Sequence, residues 1–188
     1  PLVTTVAPFS FMGDFLVVVY LVALGTFFLA LSGIDSGGGF GGFGASREMM
    51  VASLTEGGLI LSLAALALAA HSANLFSISE SVSTLSLANS APIVLAFVSF
   101  VISLLAETAR YPFDNPATHL ELTMIHEAMI LEHSGKRLAL MEWAAANKYC
   151  IFIALGANLF FPWGIAQSHD PLALLVALAA LVVKVGIG

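Results

Sequence analysis

The feature that most constrains this chain is a series of uninterrupted apolar runs, each about as long as a bilayer is thick. A spanning helix needs about 20 mostly apolar residues. Phe15–Ile34 is uncharged over such a length. Gly57–Ser79 is a second run, with its helix expected to start earlier, near Ser46. Ser81–Ala106 is a third, apolar from about Pro92, and Tyr149–Ser168 is a fourth. Pro171–Val183 opens a fifth, shortly before Lys184 and the last residue, Gly188. The expected spans are therefore approximately 13–34, 47–75, 90–110, 147–167 and 171–188. The runs are continuous rather than alternating, which excludes a transmembrane barrel. The sequence predicts one all-α domain over 1–188, a polytopic transmembrane helix bundle of about five spans.

Composition agrees. The 188 residues are 59% hydrophobic and 10% charged, against about 45–50% and about 25% in soluble domains. Six Lys+Arg against twelve Asp+Glu give a net charge of −6, so no basic footprint for nucleic acid exists. The single cysteine, Cys150, makes neither an internal disulfide nor a cysteine-based zinc site.

The connections set the orientation. Residues 35–46 are glycine-rich and read as a loop. They lack the Gly-Lys-[Ser/Thr] ending of a phosphate loop, so close backbone packing at a membrane surface is the preferred reading. The other long polar loop is 111–146. These two loops and their edges carry Arg47, Arg110, Lys136, Arg137 and Lys148, whereas the connections Phe76–Ser90 and Ser168–Pro171 carry no Lys or Arg. The asymmetry places both long loops in the cytoplasm and Pro1 near the other face. Pro1–Phe11 lacks the basic n-region of a cleavable signal peptide. A chain that starts on proline and stops in an apolar segment is expected to be part of a longer one.

The charges carry most of the functional information. Glu80 and Asp170 fall in short outer connections and read as solvated. Glu56 lies nine residues beyond Arg47, which is ~13.5 Å along a helix and about halfway across a ~30 Å core. A charge there costs roughly 2.5–3.5 kcal/mol on insertion scales. That favours a proton-relay or ion-pathway role over a merely hydrogen-bonded, protonated carboxyl. Glu107 and Arg110 are three apart and can pair on one helix face, while Pro112 ends the element and Asn115-Pro116 signals another turn. The residues alone leave open whether Glu107–Asp114 is a helix stop or a site.

Thr118-His-Leu-Glu121 has the form of a capping box. It predicts a polar amphipathic helix over Thr118–Ser134 at the cytoplasmic side, with Gly135 as its C-terminal cap. Glu121 and Glu132 are eleven apart and would share a face. Neighbouring carboxylates raise one another's pKa, so several acids of this segment, Glu127 included, would titrate near neutrality. His126-Glu127 fails the zincin pattern because residue 130 is Ile. His119, His126 and His133 are spaced by seven, and hydrogen-bonded histidines are favoured over a metal site. No catalytic nucleophile stands out. Glu142 begins the next element beside Trp143; Trp143, Tyr149 and Trp163 read as interfacial anchors. Lys184 either snorkels to the surface or serves as an intramembrane proton or ion partner.

Glu107-Thr-Ala-Arg-Tyr-Pro-Phe-Asp114 resembles the signature of the quinone-site membrane subunit of respiratory complex I. Gly33-Ile-Asp-Ser-Gly37, Gly44-Ala-Ser-Arg-Glu48, Pro116-Ala-Thr-His-Leu-Glu-Leu-Thr-Met124, Glu132-His-Ser-Gly135 and Phe161-Pro-Trp-Gly164 are similar to its relative in group 4 membrane-bound [NiFe] hydrogenases. The resemblance is to the formate hydrogenlyase and hydrogenase-4 membrane-subunit branch, and it covers nearly the whole chain. It implies about five helices from the middle of an eight-helix subunit that holds no metal or redox cofactor of its own, and it leaves open a vestigial or functional quinone pocket. It also implies partners: hydrogenase large and small subunits and a ferredoxin-like iron–sulfur subunit on the cytoplasmic side, and antiporter-like subunits in the membrane. Iron–sulfur clusters and the [NiFe] centre would belong to those partners. By position, Glu56, Glu107, Asp114, Glu121, Glu132 and Glu142 match the family's acidic residues, with Glu127 in a more variable stretch. Arg47 and Arg110 match its basic partners.

The function expected is that of an anchoring and coupling subunit of an oxidoreductase complex in the prokaryotic cytoplasmic membrane. It would link redox chemistry in the docked module to proton or sodium movement. A quinone-binding subunit of a complex I-type oxidoreductase is the alternative. A stand-alone ion transporter predicts inverted repeats that the sequence does not display, and a bare membrane anchor leaves Glu56 unexplained.

Overall fold

A computed structural model describes residues 13–84, 90–114, 124–162, 164 and 171–187. Seven helices account for most of them: α1 (Phe15–Asp35), α2 (Gly39–Ala70), α3 (Leu75–Thr84), α4 (Ser90–Glu107), α5 (His126–Ile130), α6 (Gly135–Phe160) and α7 (Pro171–Ile187). Among the described residues the only β pairing is an isolated bridge between Asp14 and Asn74. The chain is an all-α membrane helix bundle. Helices α1, α2 and α6, of 21, 32 and 26 residues, are long and apolar enough to cross a bilayer. Residues Ala91–Glu107 and Pro171–Gly186 form shorter apolar helices.

Several boundaries differ from the expected ones. Residues 39–46 are helix rather than loop, because α2 begins at Gly39. The glycines there serve packing. A Cβ on Gly41 would collide with the Gly33 carbonyl, and one on Gly44 would lie 2.9 Å from both Ala128 Cβ and the Ile125 carbonyl. Within a membrane, helices associate through such small-residue contacts because burial of apolar area supplies no drive. The second run splits in two: α2 stops at Ala70, and His71 adopts φ 51°. The bonds Ser72 N–H to Ala67 O (3.1 Å) and His71 N–H to Leu68 O (3.3 Å) close a left-handed C-terminal hook there. Helix α3 then occupies most of the expected outer connection. The helix that holds residues 147–160 of the fourth expected span, α6, already begins at Gly135 and ends before Pro162, which cannot continue a helix. The polar helix expected over Thr118–Ser134 is reduced, among the described residues, to α5. Gly135, at φ 59°, opens α6 instead of closing that helix.

The chain divides into two compact units. The first holds residues 1–18, 60–100 and 150–188. Here Asp14 and Asn74 cap the starts of α1 and α3, accepting from Leu16 N–H (3.0 Å) and Phe76 N–H (2.9 Å). Its aromatic core packs Phe100 against Phe152 and Phe160, with Phe97 against Phe160 and Phe161. Gly156 is required there: a Cβ would sit 2.6 Å from Phe100 Cε1. The second unit holds residues 19–59 and 101–149. Its small core joins Ala30, Ala45 and the fully buried Met129. The acidic cluster lies within this unit.

Candidate functional site

Glu107 is the last residue of α4, where the helix dipole is negative and a carboxylate is disfavoured. Its side chain is only 3% exposed, so it requires partners. Lys148 on α6 supplies the cation, with Nζ 3.0 Å from Oε1. Thr26 on α1 donates its hydroxyl to the same oxygen at 3.0 Å and accepts from Lys148 Nζ at 2.8 Å. Thr55 on α2 lies 3.1 Å from Oε2. Four helices thus converge on one carboxylate. Hydrogen bonds to an ionised group are about twice as strong as neutral ones, and the donors of three other helices meet at this carboxyl.

The predicted Glu107–Arg110 pair is not what forms at this carboxylate. Ala109 turns to φ 50° just after the helix. Arg110 N–H reaches back to Leu105 O (2.8 Å) and Ala109 N–H to Ala106 O (3.2 Å), a left-handed cap that carries Arg110 off the helix face. The Arg110 guanidinium instead lies over the Tyr149 ring, 4.8 Å from its centroid.

Helix α2 brings two more acids. Glu48 is buried at 5% exposure and lies in electrostatic range of Lys148, Glu107 and Asp114. Glu56 is half-buried and in range of Glu107 and Lys148. It stands seventeen residues from the start of α2 and fourteen from its end, near the middle of that helix. Asp114 is buried and plays a structural part, in that its Oδ2 accepts the His126 N–H at 3.0 Å, capping the first residue of α5. Burial holds the His126 imidazole below its usual value of 6.5, against the opposing pull of Asp114, Glu142 and Glu127.

The remaining predicted residues are dispersed. Glu127 is half-buried on α5, and Glu142 is exposed on α6. Glu132 is exposed too, packed against Gly38, where a Cβ would fall 2.6 Å from its Oε1. Glu121 lies outside the described residues, as do Thr118, His119, Trp163 and Asp170. Arg47 donates to the Met124 carbonyl at 3.3 Å. His133 Nε2 lies 3.1 Å from Ser32 Oγ. Lys184 is buried on α7 in the other unit. Among the described residues no cluster of His, Cys, Asp or Glu is disposed to hold a metal ion.

Sequence reasoning misses Glu48, Lys148, Thr26 and Thr55. A signal exists for two of them. Ala45, Glu48, Ala52, Thr55 and Leu59 follow the three-four spacing of one helix face, and all but Thr55, itself half-buried, are fully buried. Treating 35–46 as loop hides the start of that stripe. Charge patterning puts Lys148 at a loop edge, whereas it lies thirteen residues into α6.

The family described as NADH dehydrogenase matches residues 1–187. Two proteins of Escherichia coli (strain K12) are similar. Formate hydrogenlyase subunit 4 is 34% identical over 188 residues, which are 100% of this chain and 60% of that protein. Hydrogenase-4 component C is 40% identical over 187 residues, 98% of this chain and 58% of that protein. The chain therefore spans about three-fifths of the length of these curated relatives.

Proposed function

Because this chain belongs to the NADH dehydrogenase family, we propose that it acts as a membrane anchoring and coupling subunit of a hydrogenase or formate hydrogenlyase type of oxidoreductase complex. Similarity to formate hydrogenlyase subunit 4 and hydrogenase-4 component C along almost the whole chain supports this choice over other complexes of the family. The observation that carries the coupling role is Glu107, a buried carboxylate bound by Lys148, Thr26 and Thr55 from three other helices. A buried, paired acid inside a membrane bundle is a proton- or ion-handling group by default.

In this reading the chain holds no redox centre. Iron–sulfur clusters and a [NiFe] centre reside in subunits docked at the cytoplasmic ends of its helices, and antiporter-like subunits complete the membrane arm. Redox change in the docked module alters the protonation or hydration of the segment from Glu107 through Asp114, Glu121, Glu127 and Glu132 to Glu142. Glu48 and Glu56 then pass the charge change along α2 into the membrane, and the ion moved is a proton or sodium. Lys184 belongs to the membrane path in the same sense, and Arg47 and Arg110 balance charge at its entrance.

The test is isolation of the intact complex from gently solubilised cytoplasmic membranes, with its components identified by mass spectrometry and its redox activity assayed. The proposal expects a [NiFe] large subunit, hydrogenase activity with an artificial electron carrier, and no requirement for quinone. A module that oxidises NADH or ferredoxin and reduces quinone would replace this reading with the quinone-binding one. A chain that purifies alone would favour a stand-alone transporter.

A further inference from the structure

The two threonines at Glu107 share a peculiarity. Each hydroxyl has one proton and more than one acceptor. Thr55 Oγ1 lies 3.1 Å from Glu107 Oε2, but also 2.8 Å from Val51 O and 3.1 Å from Ala52 O, in its own helix. Thr26 Oγ1 has Glu107 Oε1 at 3.0 Å and Val22 O at 3.3 Å. The two sides of the carboxyl differ in charge. Oε1 faces the Lys148 ammonium at 3.0 Å, whereas among the described residues the hydrogen-bond partner of Oε2 is the neutral Thr55 hydroxyl. A proton added to Glu107 therefore goes to Oε2, away from the ammonium.

We propose that Thr55 is a positioning residue for proton exchange at Glu107, a hydroxyl that satisfies both protonation states of the carboxyl without movement of any heavy atom. With Glu107 ionised, Thr55 donates to Oε2. With Glu107 protonated, Oε2–H donates to Thr55 Oγ1, and the Thr55 proton turns to Val51 O, the shorter of its contacts. Uptake forms one O–H bond at Oε2 and breaks none in the chain; release reverses it. The charge of the group goes from −1 to 0. Lys148 keeps its bonds to Thr26 Oγ1 at 2.8 Å and to Oε1, now a carbonyl. Among the described residues, Glu48 and Glu56 from α2 and Lys148 from α6 lie in electrostatic range of Glu107; α1 contributes the neutral Thr26. A donor fixed on the ionised form would be left opposing the protonated one, and the rotatable hydroxyl avoids that cost.

The inference rests on the reading that Glu107 exchanges protons, and its test is separable from that of coupling. Infrared difference spectra of the intact complex in lipid nanodiscs, recorded between reduced and oxidised states, should contain a protonated-carboxyl carbonyl band that vanishes in Glu107→Gln. In Thr55→Val, which keeps the shape but loses the hydroxyl, that band should move to higher frequency. In Thr55→Ser it should return to its original position. The serine leaves more empty space than the valine, so a packing effect alone would not produce this order. A band unmoved in Thr55→Val overturns the proposal, as does the absence of any band that depends on Glu107. A shifted band in a complex that moves no ions keeps the role of Thr55 and removes the coupling function; normal pumping with an unmoved band does the reverse.

Discussion

Replacing Lys148 by methionine removes the cation from Glu107 while keeping most of the side-chain volume. The structure sets the size of the loss. Breaking a buried ion pair by deleting one partner costs about 3–5 kcal/mol, because the other charge is left uncompensated. Glu107 is 3% exposed, but Lys148 is 21% exposed and so less fully desolvated. The Thr26 and Thr55 hydroxyls also stay on the carboxylate. A loss of about 2–3 kcal/mol is therefore expected for Lys148→Met. Glu107→Gln leaves a partly exposed ammonium and should cost less, about 1–2 kcal/mol. The double variant removes both charges, so its loss should fall short of the sum by about 1–2 kcal/mol. Reversible unfolding of the purified protein in mixed detergent micelles, followed by circular dichroism, measures all four corners of the cycle. Strict additivity of the two losses would refute the pairing. So would a Lys148→Met loss below about 0.5 kcal/mol, the range of an ordinary surface change.

Other outcomes follow from particular contacts. Gly44→Ala should cost about 1–3 kcal/mol by overpacking against Ala128 and the Ile125 carbonyl. Gly57→Ala, where a Cβ meets nothing within 4 Å, should be neutral or stabilise by up to about 1 kcal/mol from helix propensity; the same unfolding measurement compares them. Ala109→Gly should stabilise the protein by about 1 kcal/mol, since only glycine adopts the left-handed cap of α4 without steric cost. His126 is held by burial below its unfolded value of 6.5, so near 6.5 and below the unfolded chain binds more protons than the folded one. Its stabilising contribution is complete above that pH and is lost as pH falls through 6.5 toward the lower folded value. Once the intrinsic slowing of exchange on acidification is divided out, amide protection factors over residues 124–130 should fall across this window, and a His126→Asn variant should lose that fall.

The membrane class and the helical architecture were legible because apolar runs of bilayer length allow few other folds. The helix boundaries were less so, and for physical reasons. Eight glycines and phenylalanines in succession, residues 37–44, read as loop by propensity, yet Gly41 and Gly44 are helical because tertiary contacts with Gly33, Ile125 and Ala128 select for the absence of a side chain. Local charge spacing suggested Glu107–Arg110, whereas the partner that forms, Lys148, is 41 residues away. No periodicity within one helix could reveal a bond to another. The position of Glu56 near the middle of α2 is a property that sequence carries. Glu48 was missed because its burial depends on where α2 begins. The threonines are common residues whose importance rests wholly on what they face.

In the proposed role, Glu107 couples electron transfer in a docked module to ion movement across the membrane. The most direct test of that role is the number of protons or sodium ions moved per electron, measured with the complex sealed in vesicles and compared between the parent and Glu107→Gln. The ratio should fall toward zero in the variant, whatever the change in turnover. An unchanged ratio in a fully assembled variant complex would contradict the role.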